Sequence, residues 1–298
     1  MKKILFVFIS LFIFSCDDGE FNVEVLDFDD SAVNLCKDFT ELDEYVFYKL
    51  SDDKTKALII QLETNDDLLR DIGTVTFNLS AANKILYRIF DGDASSFFCN
   101  EVQPANPKVI EEWTASAGTI EIETVLAKDD NDGIDSEDED LNNDGDLEND
   151  DSDQDGLPNY IDLDDDGDNV PTSQEGYDAD NPENSRDTDG DGIFDYLDPD
   201  DDGDGVDTRL EVTDNNLDSP ANNINNDIAN YLNPEVADAY SGTETITNRE
   251  HRYTNGYSNT IRIINGFQLQ GNGQEIKYEV SGFDYGTYET TDTITHEF

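Results

Sequence analysis

The stretch Asp187-Thr188-Asp189-Gly190-Asp191-Gly192-Ile193-Phe194-Asp195-Tyr196-Leu197-Asp198-Pro199-Asp200-Asp201-Asp202-Gly203-Asp204-Gly205 is acidic, punctuated by glycine and ordered in a strict register. Its oxygens fall at Asp187, Asp189, Asp191, Asp195 and Asp198, then again at Asp200, Asp202, Asp204, Thr208 and Glu211. The same order stands 36 residues earlier, at Asp151, Asp153, Asp155, Asn159 and Asp162 and then Asp164, Asp166, Asp168, Thr172 and Glu175. A further step back lands on Asp130, Asp132, Ser136 and Glu139, with Lys128 where the first oxygen is due. Low-complexity acid does not keep such a register, so this is a repeat array.

Each loop sets oxygens at positions 1, 3, 5, 9 and 12, usually with glycine at 6. That spacing suits calcium, a hard cation that takes six to eight oxygens at roughly 2.3–2.6 Å. Alternate residues curl around one ion, and glycine allows the sharp turn that returns the later carboxylate. Position 7 supplies only its carbonyl, which frees its side chain to be apolar, as at Leu157, Val170, Ile193 and Val206. A third loop reads Asp140, Asn142, Asp144, Glu148 and Asp151; its copy one period on, with Gly176 in first place, is degenerate. The array fades at Asn226-Asp227-Ile228-Ala229-Asn230-Tyr231-Leu232-Asn233-Pro234, where amides replace carboxylates as in a terminal cap. The spacing predicts about five calcium sites, strongest over 151–175 and 187–211. Loops this close leave no room for EF-hand helices. Magnesium prefers water and few carboxylates, and zinc lacks its cysteine and histidine ligands.

These motifs resemble thrombospondin type 3 repeats as they occur in bacterial surface proteins. The resemblance covers residues 128–239 and implies calcium-wrapped loops with little regular secondary structure, in which neighbouring sites share aspartates such as Asp151. The cysteines of the animal repeats are missing, so any stapling of the array falls to calcium.

The whole chain carries 72 acidic and 17 basic residues, a formal net charge of -55. Such a chain repels nucleic acid, and unneutralised it opposes its own compaction. Calcium is the expected cofactor; the competing reading is a solvated acidic linker.

Residues 1–15 read as a signal peptide: Lys2 and Lys3 precede an apolar run too short to span a membrane. The run ends in Ile13-Phe14-Ser15-Cys16, which resembles a lipobox with Cys16 as the lipidated residue; Phe14 is bulky for its place. Asp17, Asp18 and Glu20 follow, like the surface-export signal of Bacteroidota lipoproteins. The expected localisation is the outer membrane, lipid-anchored and surface-exposed. Cys36 and Cys99 remain as a disulfide candidate or as two free thiols.

Residues 21–127 have globular composition, with strand patterns at Ala57–Leu62, Thr74–Leu79, Lys84–Phe90 and Thr119–Leu126. Residues 240–298 return to alternation at Thr243–Thr247, Thr260–Ile263 and Glu275–Val280. The fold class expected is mainly β, with antiparallel sandwich-like segments flanking an irregular calcium-stabilised array. The C-terminal segment either stands alone or completes the N-terminal domain; the sequence leaves both open.

No nucleophile elbow, phosphate loop or zinc motif appears, and His251 and His296 stand alone in β-like context, so no enzyme is expected. The function expected is that of a calcium-binding surface lipoprotein with a structural or adhesive role, its array a rigidified spacer. The alternative is a module that captures a glycan or protein, with Tyr253, Tyr257, Tyr285 and Tyr288 as an exposed stacking face and the array only a stalk.

Overall fold

A computed structural model describes residues 26, 28, 31–37, 44–64, 67–100, 102–211, 228–237, 239, 250–277 and 282–297. The signal peptide, Cys16, and the expected strand at 243–247 lie outside the described residues.

The β-prone runs form nine antiparallel strands: β1 Asn34–Lys37, β2 Glu44–Leu50, β3 Lys56–Glu63, β4 Gly73–Asn78, β5 Lys84–Phe90, β6 Val109–Asp129, β7 Glu250–Gly271, β8 Gln274–Lys277 and β9 Phe283–Glu297. The spatial order is β1-β2-β3-β5-β6-β7-β8, with β4 also on β6 and β9 also on β7. Two long strands make this branching possible. The first part of β6 pairs with β5 through Thr114, and its later part pairs with β4 over Thr119–Thr124. Register shifts between Ala115 and Thr119 bend β6 where it changes partner. Gly118 sits at this bend with φ +130°, and a β-carbon there would lie 3.0 Å from Ile263.

The sheet thereby folds over one core. Phe47, Leu58, Ile60 and Ile85 from β2, β3 and β5 meet Ile120, Ile122, Ile261 and Ile263 from β6 and β7. Tyr285 of β9 is fully buried and its hydroxyl donates to the Leu58 carbonyl at 3.0 Å. Trp113 is a core residue. Full burial of one such aliphatic side chain is worth about 1.5–3 kcal/mol, so this shared core ties early and late strands together. β6 and β7 pair from Thr114↔Gln270 to Asp129↔Thr254, so the C-terminal segment completes the N-terminal domain. The array is therefore an excursion from adjacent strand ends, and it does not space two β-modules along the chain.

A second apolar cluster, with Ile59, Leu86, Phe90 and Phe97, covers the outer face of β3 and β5. A disulfide between Cys36 and Cys99, Cα atoms 5.2 Å apart, pins the covering loop to β1. Tyr253, Tyr257, Tyr285 and Tyr288 do not together form one exposed face. Tyr285 is in the core, Tyr288 meets Phe47 edge-on, and Tyr253 packs on Leu157, Tyr160 and Ile161. Alternation along β7 and β9 sends these rings to different neighbours. His251 and His296 are register partners across β7 and β9.

Candidate metal centre

The array enters directly from Asp129 at the end of β6. Its loops share two clips. The position-9 amide donates to the carbonyl just before the loop: Asn159 to Asp150 at 2.8 Å, Thr172 to Leu163 at 3.1 Å, Asp195 to Arg186 at 2.9 Å and Thr208 to Pro199 at 2.9 Å. The position-9 side chain in turn accepts the position-2 amide: Asn159 from Ser152, Thr172 from Asp165, Asp195 from Thr188 and Thr208 from Asp201, at 2.7–3.1 Å. Asn159 and Asp195 are thus loop clamps and stand outside the carboxylate clusters. Asp195 is further engaged by Arg186, which is paired with it.

Carboxylates at positions 3 and 5 are oriented by short local turns. One oxygen of Asp166 accepts the Asp168 amide at 3.1 Å, and one oxygen of Asp168 accepts the Val170 amide at 2.6 Å. Asp130 and Asp132 do the same toward Asp132 and Ile134, at 2.9 and 2.8 Å. The second oxygen of each is then buried with no hydrogen-bond partner. Buried oxygens in this state cost free energy unless something else satisfies them.

Five carboxylate clusters result among the described residues: Asp130, Asp132 and Glu139; Asp151, Asp153 and Asp155; Asp166, Asp168, Glu175 and Asp201; Asp187, Asp189 and Asp191; and Asp200, Asp202 and Asp204. Within each, one oxygen per residue lies within 4.8 Å of the others. Oxygens this close together can contact one cation. The donor set is wholly hard oxygen, so the residues present fit calcium.

Four of the five clusters fall into two kinds. Asp151, Asp153 and Asp155, like Asp187, Asp189 and Asp191, form rims open to solvent. Asp162 and Asp198 flank these rims and accept the amides of Asp164 and Asp200, each at 3.0 Å. The cluster of Asp166, Asp168, Glu175 and Asp201 is sealed, and so is that of Asp130, Asp132 and Glu139. Burial, and then neighbouring carboxylates, raise the pKa values there. Asp130 is pushed up to about 10, Glu139 to about 9 and Asp201 to about 9, while Asp165, Asp166, Asp168 and Glu175 are raised well above the carboxylate range. Four ionised carboxylates cannot share such a volume without protons or a cation.

The structure redistributes the expected ligands. Asp200 and Asp204 gather with Asp202, whereas Asp162, Asp164 and Glu211 are almost wholly buried outside the five clusters. The loop at Asp140, Asn142, Asp144 and Glu148 is not among the five tight clusters, and the third carboxylate that Asp140 and Asp144 act on is Asp150. Asn142 donates to Asp150 at 3.1 Å, Asp140 accepts the amides of Asp144 and Gly145, and Asn149 donates to Asp144. Glu148 is drawn away: it accepts the Tyr160 hydroxyl at 2.6 Å and faces the Lys128 ammonium at 3.4 Å. Lys128 also donates to Tyr160 at 3.0 Å, and Asn131 donates to Thr254 at 3.1 Å. With Tyr253 on Leu157 and Tyr160, these contacts seat the array root on the β-domain.

The expected ligand set omitted Asp130, Asp132 and Glu139 because Lys128 spoils the first position of their loop. It omitted Asp165 and Asp201 because position 2 has no place in the spacing. Their signal was present as the triple runs Asp164-Asp165-Asp166 and Asp200-Asp201-Asp202.

The BamM C-terminal family model matches residues 129–182, from the end of β6 through the first buried cluster and most of the second. No curated protein and no solved structure matches the chain.

Proposed function

We propose that this chain is a calcium-binding lipoprotein of the outer membrane, anchored through Cys16 and displayed at the cell surface with a structural or adhesive role. The observation that carries the reading is the pair of sealed carboxylate clusters set 36 residues apart, with buried oxygens that lack hydrogen-bond partners. Only a strongly bound cation makes such clusters stable in ionised form. The match to the BamM C-terminal family supports association with the outer membrane.

Topology refines the role of the array. Because it leaves β6 and returns to β7, it is a calcium-stiffened projection from one end of the β-domain. Of the four tyrosines expected to stack on sugar, Tyr285 is in the core and Tyr253 and Tyr288 pack on neighbours, which favours the structural reading over glycan capture. The test is small-angle scattering of the form lacking residues 1–16, in calcium and after chelation. The reading expects an extended rigid projection in calcium and a broadened ensemble without it. Identical profiles would count against it. For the anchor, Cys16→Ser should release the protein from the membrane fraction, and retention there would contradict lipidation at Cys16.

A further inference from the structure

Two residues of the second loop kind have no role in the loop that contains them. Asp201 follows the first position of the loop 200–211, yet its side chain lies with Asp166, Asp168 and Glu175 of the preceding repeat. It is 1% exposed, and both of its carboxylate oxygens lack hydrogen-bond partners. Its amide is held by Thr208 at 3.1 Å, which fixes the side chain's direction. Asp165 repeats this 36 residues earlier. It is 1% exposed, both oxygens lack partners, and Thr172 holds its amide at 3.1 Å. Burial and then the charges of Glu139, Asp132, Asp130 and Asp162 raise its carboxyl, so it lies beside the cluster of Asp130, Asp132 and Glu139 without being part of that tight group.

A tyrosine of a later segment accompanies each cluster. Tyr196 is buried near Asp165, Glu139 and Asp132. Tyr231 is buried against Val170, near Asp201, Glu175 and Asp168.

Resting on the calcium reading above, we propose that each sealed site is composite: the loop of one repeat supplies three carboxylates, and Asp165 or Asp201 of the following repeat supplies the fourth. Calcium is then the joint between consecutive repeats, holding the array as one rod rather than filling independent loops. The rule also predicts a weaker terminal site. In the terminal segment, where Pro234 stands for Pro199, the place of Asp201 is taken by Val236, so among the described residues the cluster of Asp200, Asp202 and Asp204 receives no such carboxylate.

Tyrosine-sensitised terbium luminescence tests this with site resolution, using the full chain after Cys16. Tyr231→Phe and Tyr196→Phe identify the emission from each sealed site. Asp201→Asn should remove the Tyr231-dependent emission, or raise its terbium midpoint about tenfold or more, and leave the Tyr196-dependent part. Asp165→Asn should do the reverse. Asp207→Asn, at an exposed residue paired with Arg209, should change neither. Unchanged midpoints in Asp201→Asn and Asp165→Asn would overturn the composite site, as would loss of both emissions in each variant. A parent chain that binds neither terbium nor calcium would instead overturn the calcium reading itself.

Discussion

Asp153 packs directly on the α-carbon of Gly167: a β-carbon at position 167 would lie 2.4 Å from its carboxylate oxygen. Asp189 stands in the same relation to Gly203, at the same 2.4 Å. An open rim of one loop is thereby locked against the turn of the next. Both glycines have positive φ, +69° and +67°. Gly167→Ala therefore meets a clash and a conformational penalty together. It should destabilise the array by about 1–3 kcal/mol. The check is the calcium concentration needed to restore tyrosine near-ultraviolet dichroism, which should rise. An unchanged requirement would show that the rim and the turn move independently.

The raised carboxyl groups give a pH dependence with a definite sign. In chelated protein, a group whose folded value lies above its unfolded value stabilises the fold below the unfolded value, near 4. That contribution is lost as pH rises through about 6 for Asp132 and Asp202, and through about 9 to 10 for Glu139, Asp201 and Asp130. The chelated array should accordingly be most ordered in mild acid and loosen toward neutrality. Calcium should reverse the trend, because protons compete for the same oxygens. Tyrosine dichroism from pH 4 to 8, with and without calcium, reads both limbs. A chelated signal that does not change with pH would contradict the sealed clusters.

Much of this was legible in the sequence, for identifiable reasons. The 36-residue register and the alternation in β3 to β6 depend on local spacing, and local spacing is written in the chain. The short β1 and the long β9 were not evident, since β9 is polar at most of its positions and meets the core only through Phe283, Tyr285 and Tyr288 near its start. The composite clusters were hidden because Asp201 and Asp166 are brought together by packing between repeats. Asn159 and Asp195 looked like ligands because a position-9 oxygen suits calcium and an amide clamp equally well. Glu148 was displaced by Lys128, whose approach depends on how β6 runs into the array.

The root of the array should be a separable contact. Tyr253→Ala uncovers Leu157, Tyr160 and Ile161 while leaving every carboxylate cluster in place. Hydrogen exchange over 157–162 should quicken, and the terbium midpoints of the sealed sites should stay fixed. Slow exchange in the variant would mean that Tyr253 does not hold the root.

The disulfide belongs to the β-domain alone. Replacing Cys36 and Cys99 together with serine frees a loop of 63 residues in sequence separation. The expected loss is about 2–4 kcal/mol of β-domain stability, measured by denaturant unfolding in excess calcium. Calcium stoichiometry should not change. A fall in stoichiometry would mean that the two regions fold as one unit.

The most direct test of the central claim is a calorimetric titration of calcium into the chelated chain lacking residues 1–16. The account predicts several equivalents, with the tightest class assigned to the two sealed clusters and reduced by one site in Asp168→Asn, whose side chain is wholly buried with Asp166, Glu175 and Asp201. No heat and no bound ion at millimolar calcium would leave an acidic projection without a metal, and the account would be wrong.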